Sequence, residues 1–106
     1  IAAGEQRTDA QNKAIYQLYH LAAKSLEGET PQTIRRQCKL DFGVALLYSE
    51  DEKFRDEWKK KIKGQFTYEQ LLIFMDWFPV TSLMSIEQET RYIDEILKRY
   101  NLELIR

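Results

Sequence analysis

Four times in 106 residues the chain sets a Ser or Thr three positions ahead of a Gln or Glu: Thr8–Gln11, Ser49–Glu52, Thr67–Gln70 and Ser85–Gln88. That spacing is the helix capping box. The hydroxyl accepts from the backbone N–H three residues on, and the longer side chain returns the bond, so two of the donors left open at a helix start are satisfied. A further start lies at Thr30-Pro31, an N-cap followed by proline at the first helical position, where the missing N–H is not needed. Stops fall between the starts. Gly28 and Gly64 tolerate the left-handed conformation that ends a helix, Pro79 cannot continue one, and Asn101 suits the position just past a helix end. Chain punctuated in this way leaves little room for a sheet. The pattern predicts a mainly α fold, a compact single domain over 1–106 with about five helices. A short strand is expected, if anywhere, in the connector 80–84 or the tail 102–105.

The apolar residues fall in register with these caps. Ala14, Ile15, Leu18, Leu21, Ala22 and Leu26 recur every three or four positions, as do Ile34, Cys38, Phe42, Ala45 and Leu46. Phe54, Trp58 and Ile62 mark a third helix, and Ile86, Ile93, Ile96, Leu97 and Tyr100 mark the last. The run from Leu71 to Trp77 is apolar nearly all round, which predicts a central helix or a face shared with a second copy. Apolar residues make up 43% of the chain and charged residues 31%, the balance of a folded globule rather than a disordered segment. A formal net charge of −1 means that bulk charge favours neither nucleic acid nor membrane, so charge must be judged locally. No apolar run reaches the roughly 18–20 residues needed to span a bilayer. The opening IAAGEQR is too short and polar for a signal peptide, and its lack of Met suggests that residues precede Ile1.

Groups that could converge for catalysis are scarce. His20 is the only histidine and Cys38 the only cysteine, which removes disulfides, zinc spacings and histidine pairs. A Cys38–His20 nucleophile and base is formally available, but Cys38 falls on an apolar stripe, where a thiol packs as a small hydrophobe. The acids Glu50, Asp51 and Glu52 suit a positive helix start, and Asp94 and Glu95 lie within pairing reach of Lys98 and Arg99. There is no phosphate-binding glycine loop and no nucleophile elbow. The expectation is a non-enzyme without metal or cofactor.

Basic and aromatic residues are more informative. Arg35, Arg36 and Lys39 share one side of the second helix, and Lys59, Lys60, Lys61 and Lys63 crowd the end of the third. A few such cations neutralise phosphates in a salt-sensitive way, although lysines at a helix end also complement its dipole. Tyr16 and Tyr19 flank the stripe of the first helix, with Lys13 and His20 near the same edge. Tyrosine beside a cation is the general device for holding unpaired bases, and equally a common way to close a core edge.

The stretch RTDAQNKAIYQLYHLAAKSLE resembles a segment of phage recombination proteins of the NinB (Orf) type, in which a Ser/Thr-x-x-Gln-Asn-Lys/Arg start leads into an aromatic-bearing helix. More loosely, residues 75–100 resemble the end of related proteins, where a Thr-Ser connector precedes a helix. The middle of the chain carries no such match. The resemblance implies a bacteriophage or prophage protein of the host cytoplasm that binds DNA, favours single strands, acts as a homodimer and works beside recombination or replication proteins. Carried over position by position, it marks Gln11, Asn12 and Lys13, with Thr81, Ser82 and Ser85, as DNA-contact or scaffold positions. The expected DNA-binding set is thus Gln11, Asn12, Lys13, Tyr16, Tyr19, Arg35, Arg36, Lys39, Lys59, Lys60, Lys61 and Lys63. The alternative is a small helical adaptor that binds a partner protein and has neither enzymatic nor DNA-binding activity.

Overall fold

A computed structural model describes residues 9–102, and among these the chain is helical, with no strand. Five helices follow in order. They are α1 (Asp9–Ser25), α2 (31–50), α3 (Glu52–Lys61), α4 (Tyr68–Phe74) and α5 (Ile86–Tyr100). A single 3-10 turn, Thr81–Leu83, joins α4 to α5, so the connector coils where an extended strand was an alternative. The tail from Glu103 and the box at Thr8 lie outside the described residues.

Local chemistry sets the helix ends. Thr67 and Ser85 each cap a helix, and their backbone N–H groups donate in return to Gln70 and Gln88 Oε1, at 2.9 and 3.0 Å. Thr30 makes the same exchange with Thr33, a shorter partner than the usual Glu or Gln. The box expected at Ser49 does not form. Ser49 still belongs to α2, where its hydroxyl donates to Leu46 O at 3.0 Å. Asp51, with an extended backbone, caps α3 instead by accepting from Phe54 N at 3.0 Å. At the stops, Gly28, Gly64 and Asn101 have positive φ of 83°, 81° and 53°, the left-handed conformation for which glycine and asparagine are suited.

Helix α2 carries the packing. It runs as α-helix from Pro31 to Cys38, widens into a π-helical segment over Lys39–Val44, and resumes over Ala45–Glu50. Wide turns of this kind are rare in helices. Gly43 lies within this one, and a Cβ at that position would sit 2.5 Å from Val80 Cγ1 and 3.3 Å from Met84 Cε. The connector therefore packs directly on helix backbone. Around this point one core gathers Leu18 and Ala22 of α1, Ile34, Cys38 and Leu47 of α2, Met75, and Ile93 and Ile96 of α5. Within it the hydroxyls of Tyr19 and Tyr92, 73 residues apart, hydrogen-bond at 2.8 Å. Glu89 is buried close by.

Helix α4 departs most from expectation. None of its seven residues is fully buried, and Ile73 is 55% exposed. The apolar run is cut in two: its first half forms this short edge helix, while Asp76 and Trp77 lie in a turn beyond it. Only Met75, at the junction, is buried completely. The burial expected of a long central helix therefore falls on one side chain.

Two sets of variants test this packing by urea denaturation. Gly43→Ala should destabilise, although alanine in an open helix would gain about 1 kcal/mol, and Val80→Ala in the same chain should recover part of the loss. Tyr92→Phe, which removes the partner of a buried hydroxyl, should cost about 1–3 kcal/mol. Adding Tyr19→Phe should cost much less than the sum of the two single changes.

Candidate nucleic-acid interface

Trp77 stands in the turn after α4, 81% exposed. Beside it opens a cleft of about 480 Å³, walled by Asn12 and Tyr16 of α1, Arg35 of α2, and Trp77, Thr81 and Ser82. Ile15, Tyr19 and Lys39, all buried, line its inner side. A second hollow of about 440 Å³ shares Tyr16, Tyr19 and Arg35 with it and extends past His20 toward Thr30 and Gln32. Together they form a groove between α1 and α2. Tyr16 is 66% exposed on its edge, its ring 4.9 Å from the His20 imidazole.

How an apolar tryptophan comes to stand in solvent is explained by two cations of α2. Arg36 grips Asp76 through two bonds, Nε to Oδ1 at 2.9 Å and Nη2 to Oδ2 at 2.5 Å, and Gln32 adds a longer one. The guanidinium holds the Asp76 carboxyl below its usual range. One turn on, Lys39 is 3% exposed and its ammonium donates to the carbonyl of Met75. Burial, helped by the nearby Arg35 charge, lowers its pKa to about 8, against a smaller opposing pull from Asp76. The backbone just before Trp77 is thereby tied to α2 at two successive residues.

The twelve expected contact residues separate into groups. Asn12, Tyr16 and Arg35 meet at the cleft, where Asn12 and Arg35 are also exposed. Lys13 is exposed on α1 but does not line it. Tyr19 is a core residue: burial raises its pKa, and its hydroxyl faces Tyr92 rather than solvent, so it offers no stacking face. Arg36 and Lys39 act as ties to the turn, not as open cations. Gln11 donates to Ile86 O at 3.3 Å, pinning the start of α1 to the start of α5. Ser85 is the cap of α5. Lys59, Lys60, Lys61 and Lys63 are exposed at the end of α3 and line no part of the cleft. Lys61 pairs with Glu57 at 2.6 Å, and Lys59 lies 5.9 Å from the Tyr48 ring centre.

Sequence reasoning missed Trp77 as a surface residue by counting it in the apolar run. Asp76 before it and Pro79 after it were the available signal that the helix had ended. Cys38 is fully buried against the Tyr100 hydroxyl, burial pushes its thiol up to about 12, and His20 lies on the surface. Among the described residues no three or more His, Cys, Asp or Glu side chains gather in a way that could hold a metal ion. No helix there is long and apolar enough to cross a membrane. Compared with known proteins, the chain matches no family model, no curated protein and no solved structure.

The buried ammonium gives a signed pH dependence. Lys39 is protonated in both folded and unfolded chains below about pH 8, and its burial penalty is then fully present. Between there and the ordinary lysine value of 10.5 the unfolded chain binds more protons, so stability rises with pH. Tyr19 and Tyr92, raised by burial, oppose this above about pH 10. Urea midpoints from pH 8 to 10 should therefore climb in the native chain relative to Lys39→Met, whose profile lacks that contribution.

Proposed function

We propose that the protein binds single-stranded DNA along the groove between α1 and α2, and that it does so in phage recombination or replication. One observation carries most weight. Asn12, Thr81 and Ser82, marked by the phage resemblance from two distant parts of the chain, line the same cleft between two exposed aromatic rings. Tyr16 and Trp77 offer faces to unpaired bases, Arg35 supplies a cation at the rim, and the amide and hydroxyls suit sugar or phosphate oxygens. Such a device tolerates any base and rejects a duplex, whose bases are already stacked. The lysines at the end of α3 would add sequence-independent attraction at a distance. Dimerisation, recombinase partners and a place in the bacterial cytoplasm are part of the proposal only through the resemblance.

Anisotropy of labelled oligonucleotides across a salt series tests it. Single strands should bind more tightly than duplex, and Tyr16→Ala and Trp77→Ala should each weaken binding about tenfold or more, the value of one lost base stack. Arg35→Gln should reduce the salt slope by about one. Folded protein that binds no oligonucleotide at low salt, or that binds equally after both aromatic changes, would falsify the assignment.

A further inference from the structure

A second surface, on α3, has the opposite character. Phe54 and the largely buried Trp58 of α3, with Ile62 at its C-terminal cap, Phe78 and Leu83, line an apolar groove of about 400 Å³. Its floor is stiff: the Phe54 and Trp58 rings stack at 5.7 Å, and Phe78 leans on both at about 6 Å. Leu83 stands half exposed on its rim. Nothing among the described residues covers it.

Charge around this groove is sorted along the helix. Toward the start of α3 the groove shares Asp51, Lys53, Glu57 and Leu83 with an open hollow of about 750 Å³ that adds Glu50, Glu52 and Asp56. Lys53 is the only cation lining that hollow. Asp51 caps the helix, and Glu50 and Glu57 are paired with Arg91 and Lys61, while Glu52 and Asp56 are exposed on the same side. At the other end Lys61, paired with Glu57, lines the groove, and Lys59, Lys60 and Lys63 are exposed on the same stretch of chain without lining it. The apolar groove thus runs out on an acidic hollow in one direction and a basic helix end in the other. A phosphate backbone would be repelled by the acidic end, which sets this surface apart from the proposed DNA groove. A chain with aliphatic anchors and adjoining cations meets favourable contacts in one orientation only.

We propose that this surface docks a protein segment carrying one or two large aliphatic side chains beside a Lys/Arg cluster, with the aliphatics between Trp58 and Leu83 and the cations over the carboxylates at the start of α3. An apolar anchor in a stiff pocket supplies affinity, and the flanking charge supplies direction and partner choice.

Trp58 makes the test direct. The chain holds two tryptophans, so Trp77→Phe leaves the groove residue as the only indole. The probe is an acetylated peptide with two leucines followed by Lys-Arg-Lys, with two controls: the leucines replaced by alanine, and the basic residues replaced by glutamate. The basic leucine peptide should shift Trp58 emission at a single saturable site, with both controls at least about tenfold weaker, each tenfold being about 1.4 kcal/mol. Glu52→Lys with Asp56→Lys should weaken it similarly, and Leu83→Asp should abolish it; both alter surface positions, so circular dichroism should be unchanged. Equal binding by the glutamate or the alanine peptide overturns the proposal, as does no binding by any. Sedimentation that shows a dimer without peptide, broken by Leu83→Asp, would give the groove to a second copy and overturn it too. The DNA assignment is read separately, by oligonucleotide titration of the chain that keeps Trp77: Trp77→Phe alters the cleft, whereas Glu52, Asp56 and Leu83 do not line it.

Discussion

The double tie between α2 and residues 75–76 is the constraint on which the rest of the surface depends. A turn of chain that ends in Trp-Phe-Pro would ordinarily collapse inward, because burying an indole is among the larger single gains available to a fold. Here Met75 takes the buried place, the Lys39 ammonium accepts desolvation to hold the Met75 carbonyl, and Arg36 fixes Asp76 through a planar two-point grip. With these two residues held, Trp77 is left facing out beside α1. A lone surface ion pair contributes little to stability. The geometric effect of this one is larger: it sets the direction of the chain just before the exposed ring.

The same tie shows why parts of this fold could be read from sequence and parts could not. Caps are decided within four residues, so Thr30, Thr67 and Ser85 were legible, as were Gly28, Gly64 and Asn101 at the stops. Ser49 misled because Asp51, two residues later, competes for the same role and the helix before it had not yet ended. The need for glycine at position 43 was invisible, since it comes from Val80 packing on that backbone from a distant connector. Arg36–Asp76 spans 40 residues and Tyr19–Tyr92 spans 73. Periodicity marks a tyrosine at a helix edge without saying which side of the edge is covered. Tyr16 and Tyr19 were alike in sequence, yet one is in solvent and the other in the core.

Charged residues in this chain therefore do two kinds of work that composition blends together. Those of α2 act inward, with Arg36 and Lys39 fastening one turn of backbone. Those of α3 act outward, with acids at its start and lysines at its end, each sign also complementing the helix dipole. Near-neutral totals hide this sorting. At physiological salt the fields of the two ends decay over about 8 Å, less than the roughly 15 Å length of a ten-residue helix. Each end of α3 therefore presents its own sign to an approaching molecule.

Phe78 lies where the two proposed surfaces meet. It lines the cleft beside Trp77 on one side and packs on Phe54 and Trp58 in the α3 groove on the other. Phe78 is also the neighbour in sequence of the exposed indole. The groove and the cleft are thus adjacent, sharing Phe78 as a lining side chain. Asn12, Tyr16 and Arg35 of the cleft wall belong to helices that the groove does not touch, but Leu83 of the groove shares the Thr81–Leu83 turn with Thr81 and Ser82 of the cleft. The two surfaces therefore meet both at Phe78 and at this turn.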